Sequence, residues 1–305
     1  MSPILLITSA VIILAAILFA YLEYRIPYTK GKKLFREGFW LDFVWYTLIQ
    51  SYFLGILIFS YIIAPIETSL GINQQGLISH WPMWLLILFF TVTHDFYIYW
   101  FHRAQHNSKL LWRLHEAHHS VRTCDWLAGS RSHALEIIIN QTIEFAPIIL
   151  LLDTQTAAIL IPVKGMIDAI WGMFIHSNIH LPLGKSGYFI NGPGLHQWHH
   201  AEHKEVYFAN YATKLAIWDY LFGTLYNPDH KPVKYGLPYS FPKDYFVQHV
   251  FSIFRFDVKK LESNKYFNFY NNLRIKTLNT ILSLWGIRKT EHYSLILPDQ
   301  KPADT

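Results

Sequence analysis

Residues 81–119 read WPMWLLILFFTVTHDFYIYWFHRAQHNSKLLWRLHEAHH, and this stretch decides how the rest of the chain is interpreted. Its first part, Trp81 to Phe101, is long and apolar enough to cross the hydrocarbon core of a bilayer as one helix. Five histidines follow between His102 and His119. A predicted membrane span therefore leads directly into a group of potential metal ligands.

Three more apolar stretches extend this pattern. Ile4 to Leu22 and about Trp40 to Ile66 each suffice for one span, and Ala134 to Ile175 suffices for a helical hairpin that turns near Asp153 to Thr156. Only 15% of the residues are charged, whereas 52% are hydrophobic, which favours a bilayer as solvent. A secretory signal peptide is the alternative for the first run, but no Lys or Arg precedes that run. The sequence predicts an all-α, multi-pass membrane protein with about four transmembrane helices and a cytoplasmic helical cap that carries the histidines.

Basic residues assign the two sides of the membrane. Five of them follow the first span between Arg25 and Arg36, and four follow the third span between Arg103 and Arg122, whereas none lies between Ile66 and His80. By the positive-inside rule, the N-terminus lies outside and the histidines are cytoplasmic. We expect one integral-membrane domain over residues 1–305, with N-terminal spans at 1–80, a catalytic core at 81–228 and a cytoplasmic extension at 229–305.

Charge and cysteine content exclude other classes of site. The formal net charge is +5, but the basic residues lie beside apolar runs, which suits anionic lipid headgroups better than nucleic acid. Cys124 is the only cysteine, so neither an intrachain disulfide nor a paired-cysteine metal site can form.

Histidine is the residue type that points to a function. Residues three and four apart share one face of a helix, so each short histidine unit is expected to aim two or three imidazoles at one point. Ten imidazoles are too many for one metal centre of four to six ligands, so the pattern predicts two metal ions. The four units are His102 and His106; His115, His118 and His119; His176 and His180; and His196, His199 and His200.

Two further residues are candidates for supporting the ligands from behind. Asp95 shares one helical stripe with His102 and His106, so its carboxylate is a candidate for orienting a ligand histidine. His133 has the same candidate role because it lies between Arg131 and Glu136. His94, inside the third span, is interpreted as a packing residue.

A zinc protease is the alternative interpretation. The unit from His115 to His119 also fits HExxH, in which Glu116 would be the general base, and Glu136 or Glu144 could supply a third ligand. This alternative leaves the other three histidine units without a purpose, and the second HxxHH unit has Gln197 where the first has glutamate.

The arrangement resembles the fatty acid hydroxylase/sterol desaturase superfamily of membrane di-iron enzymes, over about residues 80 to 228. One difference lies at Arg131-Ser-His133-Ala134, where many relatives have proline after the histidine. The segments that carry the resemblance are Asp95 to Arg103, Leu111 to Ser120, Phe174 to Asn178, His199-His200, Asn210-Tyr211 and Trp218 to Thr224.

The resemblance implies an activity and a set of partners. Two iron ions, O₂ and two externally supplied electrons would hydroxylate or desaturate a C–H bond of a membrane lipid such as a sterol or fatty acyl chain. The chain has no flavin fingerprint or fused cytochrome domain that we can identify, so a separate electron-transfer protein or reductant is expected. His180 is a further candidate beside the nine ligands that the resemblance implies, which are His102, His106, His115, His118, His119, His176, His196, His199 and His200.

Overall fold

The chain forms two compact units, Met1–Gly236 and Leu237–Thr305, in a computed structural model that describes residues 2–70, 76–284 and 294–300. Helices build the first unit, and the described part of the second adds two helices and a two-stranded antiparallel pairing. The helices are α1 Pro3–Arg25, α2 Leu41–Leu70, α3 Met83–Asn107, α4 Lys109–His119, α5 Ala134–Leu151, α6 Thr154–His176, α7 Pro193–His199, α8 Ile217–Leu221, α9 Tyr245–Phe254 and α10 Lys265–Leu284, and the strands are β1 Phe241–Pro242 and β2 Ile296–Leu297.

Five helices of the described chain (α1, α2, α3, α5 and α6) are long and apolar enough to cross a membrane. The sequence predicted about four spans, with the stretch from Ala134 to Ile175 treated as one hairpin. The structure divides that stretch into two full-length helices, and its turn lies at Leu152–Asp153, close to the predicted position. Within α2, residues Leu41–Gln50 and Leu57–Ile63 are wound as π-helix.

The α5–α6 hairpin extends to the end of the bundle opposite the histidines. The Asp153 amide donates to Ser79 Oγ at 2.8 Å, and the Ile78 amide donates to the Leu151 carbonyl at 3.2 Å. Ser79 lies just before α3 begins, whereas His102 and His106 lie at the other end of that helix. The hairpin therefore runs the length of α3 and returns, and the Asp153 carboxylate caps α6 by accepting from the Thr156 amide at 2.9 Å.

Apolar side chains divide between an internal core and an outward surface. Ile58, Leu86, Ile148 and Leu160 come from four different helices and are fully buried together. Helix α1, by contrast, buries only Thr8 and Phe19 and leaves most of its leucines and isoleucines exposed. Helices that expose so much apolar surface are suited to contact with lipid.

Local backbone breaks direct the histidines toward one another. A single extended residue, Ser108, separates α3 from α4 and caps α4 through its hydroxyl. Helix α4 therefore folds back beside the end of α3. Pro193 starts α7, where a proline costs no helical hydrogen bond, and α7 packs against α6.

Candidate metal centre

The structure gathers nine histidines into two adjoining sets, each of which could hold a metal ion. Within each set the potential ligand atoms all lie within 4.8 Å of one another, and every ring is buried except that of His106, which is partly exposed. The five-histidine site comprises His102, His106, His115, His119 and His199, and the four-histidine site comprises His118, His176, His196 and His200.

The Nε2 atoms converge at short distances. In the five-histidine site, His115 Nε2 lies 2.9 Å from His102 Nε2 and 3.1 Å from His119 Nε2. In the four-histidine site, His176 Nε2 lies 3.2 Å from His118 Nε2 and 2.8 Å from His196 Nε2. Both sites thus present ring nitrogens to a common centre.

In six of the nine rings, the other ring nitrogen, Nδ1, lies against an oxygen that can only accept a hydrogen bond. A neutral imidazole has one N–H donor, so these Nδ1 atoms carry the hydrogen and leave the Nε2 lone pairs free for a metal. The acceptors are the carbonyls of Tyr211 for His102, Tyr207 for His106, Arg131 for His118, Gly172 for His176 and Ala209 for His199, and the Glu136 carboxylate for His115.

One short segment supplies three of these carbonyls. Residues 207, 209 and 211 alternate along an irregular stretch and fix three of the five histidines in the five-histidine site. Asn210 takes a left-handed backbone conformation at φ 56°, and its amide side chain bonds the backbones of Leu195 and Tyr226. The Asp219 carboxylate accepts from the Tyr211 amide at 2.9 Å. The sequence singled out Asn210 and Asp219 by resemblance, and the structure gives both a physical role.

Glu136 is the carboxylate that orients a histidine of the site. Its Oε1 lies 2.9 Å from His115 Nδ1 and also accepts from the Gln105 amide at 2.8 Å. Sequence reasoning considered Glu136 only as a zinc ligand of a protease. It lies on the first turn of α5, and only the packing of α5 against α4 brings it to His115.

Asp95 and His133, the two predicted supporting residues, do not touch the nine histidines through the hydrogen bonds described. Asp95 accepts from the Thr213 hydroxyl, the Trp218 indole and two intervening backbone amides. It therefore anchors the segment that follows Tyr211 instead of a ring. His133 caps α5, since its Nδ1 accepts from the Leu135 amide at 3.1 Å.

His180 lies apart from both sites. It is exposed, its backbone amide donates to the Ile26 carbonyl at 2.8 Å, and its ring packs 6.1 Å from that of Tyr28. Helix α6 ends at His176, so the helical spacing that would place His180 on the same face does not continue. The structure therefore brings together nine of the ten predicted ligands.

Each HxxHH unit is divided between the two sites. The prediction that all three rings of a unit aim at one point is wrong. His115 and His119 join the five-histidine site while His118 joins the other, and His196 and His200 join the four-histidine site while His199 joins the other. On a helix, the residue four positions after a given one is rotated about 40° from it in one direction, whereas the residue three positions after it is rotated about 60° in the other direction. The i+3 histidine of each unit therefore points to a different side from the other two.

Burial keeps these rings neutral. The pKa of His118, of His199 and of His200 is held well below the ordinary value, first by burial and then by neighbouring imidazoles. Neutral imidazole is the form that binds a metal.

Comparison with known proteins places this core in a family. A sequence model of fatty acid hydroxylases matches residues 87–224, which include all nine converging histidines. This part of the chain is similar to the fatty acid hydroxylase family. The superfamily recognised from the sequence is therefore confirmed. The five apolar helices and this match together indicate an integral membrane protein whose histidine-bearing part resembles the fatty acid hydroxylases.

Similar proteins include several lipid-modifying enzymes. The chain is 31% identical to an ornithine lipid hydroxylase of Rhizobium tropici over 49% of its own length and 44% of that protein. It is 29% identical to alkylglycerol monooxygenase of Homo sapiens, over 52% of its length and 35% of that protein. A very-long-chain aldehyde decarbonylase of Oryza sativa subsp. indica is 28% identical over 56% of this chain and 63% of that protein. The match thus spans less than half of the first two relatives, and no solved structure gives a significant match.

Proposed function

We propose that this protein is an O₂-dependent di-iron enzyme of the fatty acid hydroxylase family that hydroxylates a C–H bond of a membrane lipid. The five- and four-histidine sites would each hold one iron ion. When bound, the ions would supply oxidation of the C–H bond with O₂ and two electrons from a separate donor protein or reductant. The relatives named as lipid hydroxylase and monooxygenase support hydroxylation over desaturation.

The main support for this proposal is that pairs of histidine Nε2 atoms without a hydrogen lie close together. His118 and His176 both use Nδ1 to donate to backbone carbonyls, so their Nε2 atoms face each other at 3.2 Å as two lone pairs. His102 and His115 repeat this arrangement at 2.9 Å. Two buried lone pairs at such a distance repel unless a cation lies between them. Both histidine sites therefore fit a bound metal ion.

The spacing and number of the nitrogens favour iron over a zinc-peptidase centre. With metal–nitrogen bonds of about 2.1 Å, ligands at right angles lie ~3.0 Å apart, and tetrahedral ligands lie ~3.4 Å apart. The Nε2 pairs described above are 2.8–3.2 Å apart. Three additional histidines also surround the pair His115 and His119, whereas a zinc peptidase needs one third ligand.

The protein's own groups fix ligand geometry and keep bulk water out. Carbonyl and carboxylate acceptors set the direction of six rings, and eight of the nine rings are buried. Such preorganisation means that the ligands need not rearrange when metal binds. We further propose that this end of the bundle faces the cytoplasm, because nine basic residues lie between Arg25 and Arg36 and between Arg103 and Arg122.

Metal analysis of histidine variants tests the function. We expect about two irons per chain in the purified protein, and a loss of iron and of O₂-dependent lipid hydroxylation in His199→Ala and His200→Ala. His180→Ala is the matched control, since His180 is exposed and outside both sites, and should keep both. Lipid profiles of cells with and without the gene would identify the product. One zinc per chain, with hydrolysis that depends on Glu116, would contradict the proposal.

Membrane sidedness has a separate test. Cys124 is buried, so a thiol reagent should label only a cysteine introduced at an exposed position. Lys109→Cys and Ser69→Cys place exposed thiols at opposite ends of the bundle. A membrane-impermeant maleimide applied to intact cells should label only the cysteine at position 69. Labelling at position 109 alone would show that the protein has the opposite orientation in the membrane.

A further inference from the structure

The described part of the second compact unit, Leu237–Thr305, turns apolar side chains outward on two helices. On α9 the buried positions include the polar side chains of Gln248 and Ser252, whereas every exposed position is apolar. Phe254, for example, is 71% exposed. The exposed side chains lie within about 100° of one another around the helix axis and form one apolar stripe. They are Phe246, Val250, Ile253 and Phe254.

Helix α10 carries a second stripe of exposed side chains, most of them apolar. Each member is three or four residues from the next, so all of them share one side of the helix. Tyr266 and Phe269 are each 73% exposed, and Leu284 is 80% exposed. The full stripe is Tyr266, Phe269, Leu273, Thr277, Thr280 and Leu284. Clustered exposed apolar side chains mark a site of contact with a membrane or another protein.

The unit packs its own core with other side chains. The Phe251 ring of α9 lies 5.2 Å from that of Phe256, which in turn lies 5.2 Å from the Phe267 ring of α10. Asp244, whose carboxylate caps α9, also accepts from the Tyr270 hydroxyl of α10 at 2.9 Å. These contacts join the two helices through other faces and leave both apolar stripes on the outside.

Most of the net positive charge of the chain lies in this unit. Residues 237–305 include ten of the 26 basic residues and six of the 21 acidic residues, so they carry +4 of the formal +5. Helix α9 has no charged residue, and α10 has three basic residues but no Asp or Glu. Two of these, Lys265 and Lys276, are exposed and lie within about 40° of Phe269 around the helix axis. An apolar, aromatic stripe bordered by lysines is typical of helices that lie in the interface of a bilayer.

The chain enters this unit from the end of the spans where the histidines lie. Gly236, the last residue of the first unit, donates its amide to the His200 carbonyl at 3.2 Å. The unit is therefore tethered to a bundle of membrane-spanning length, so even weak affinity for lipid keeps it at the surface. Helix α9, with 10 residues, is too short to cross a bilayer, and α10 is not among the candidate spans. Both stripes thus fit the surface of a membrane better than its interior.

We propose that the apolar stripes of α9 and α10 bind the surface of an anionic lipid bilayer, with Lys265 and Lys276 at the headgroups. The C-terminal unit is then a membrane-surface domain and not a cap surrounded by water. A bilayer is the occupant, and not a second protein, because the spans of the same chain supply it and because its anionic headgroups complement the charge of the unit. This inference goes beyond the proposed oxidation and does not depend on it.

Fluorescence quenching by lipid tests the position of α10. Phe269→Cys on the stripe and Asn268→Cys away from it would each carry an NBD fluorophore in the full-length protein, since Cys124 is buried. Single chains would be reconstituted in nanodiscs that contain doxyl-labelled lipid, with phosphatidylcholine alone or mixed with phosphatidylglycerol. In the anionic discs we expect about twofold stronger quenching at position 269 than at 268. The difference should shrink in phosphatidylcholine alone, because the electrostatic attraction is lost.

A matched pair of variants tests the stripe itself. Leu273→Asp and Asn272→Asp change the charge equally at neighbouring exposed positions, but only Leu273 belongs to the stripe. With the fluorophore at Tyr266→Cys, we expect Leu273→Asp alone to reduce quenching, by about twofold. Iron content measured on the same samples should stay at the wild-type value in both variants, which shows that the rest of the chain is folded.

Several results would overturn the inference. Equal quenching at positions 268 and 269, the same quenching in both lipids, or equal effects of the two aspartates would each show that the stripe does not bind an anionic bilayer. Absence of quenching at either position would assign the stripe to a protein partner. Protection of position 269 from aqueous quencher only when two chains share a nanodisc would make it an interface between copies of this chain.

Discussion

The rings of His119 and His200 stack with centroids 4.7 Å apart and planes inclined by 28°, although they belong to different histidine sites. His118 and His200, which share a site, are 4.5 Å apart. His118 and His176 of the same site are 5.0 Å apart, so rings of different sites lie about as close together as rings within one site. Two metal ions bound here would be neighbours and could act on one substrate carbon.

Glu136 should control metal affinity through His115. Glu136→Ala removes the acceptor that holds His115 Nδ1, and loss of such a partner costs about 10–100-fold in metal affinity. Glu136→Gln, which keeps an oxygen of similar reach, should show a smaller loss. Iron titration of the metal-free protein measures both. Wild-type affinity in the alanine variant would show that the contact does not support the ligand.

Asn210 should matter to the five-histidine site more than to the four-histidine site. Asn210→Gly permits φ 56° but removes the bonds to the Leu195 and Tyr226 backbones, which hold the carbonyls of residues 209 and 211 in place. We expect iron to fall from two toward one per chain. If both irons remain, the segment 207–211, which supplies the three carbonyls, keeps its conformation without the Asn210 side chain.

Gly129 should tolerate no side chain. A Cβ there would lie 2.6 Å from His176 Nδ1, whereas a Cβ at Gly194 meets nothing within 4 Å. Gly129→Ala should therefore displace His176 and lower the iron content of the four-histidine site, and Gly194→Ala is the matched control. Equal iron content in the two variants would mean that His176 can move without loss.

A buried ion-pair network should stabilise the loop that holds His118. Asp42 is fully buried and receives two bonds from Arg131, at 2.7 and 3.0 Å, and one from Arg36 at 2.7 Å. Asp42→Asn leaves buried guanidinium charge without its partner, so we expect a loss of about 3 kcal/mol in the free energy of unfolding.

Thermal unfolding in detergent measures that loss. Lys259→Met is the control, because the Lys259–Asp299 pair is exposed and its removal should leave the unfolding temperature unchanged. Equal unfolding temperatures for the two variants would show that the buried network contributes no more than a surface pair.

Acid should destabilise the metal-free protein. The pKa of His118, His199 and His200 is depressed in the folded state, so the unfolded chain binds more protons near the ordinary histidine pKa of about 6.5. Stability is therefore fully present above that pH and falls as the pH drops below it. Unfolding temperatures of metal-free protein at pH 8 and pH 5 check this. A higher value at pH 5 would contradict the sign.

The sequence by itself predicted the helical, membrane-spanning architecture and identified all nine histidines that converge. Apolar runs of span length and ring spacings of three and four residues are local properties, so they can be read without knowing what packs against them. Even the hairpin turn near Asp153 follows from local composition.

Only the tertiary structure decided how the rings are shared between the two sites and what orients them. His118 separates from His115 and His119 because the two sides of one helix face different neighbours. The acceptors from Glu136 and from residues 207–211 are 10 to 109 residues away from their histidines in sequence. Such long-range contacts depend on helix packing and on backbone carbonyls, which every residue has, so no residue type marks them in the sequence.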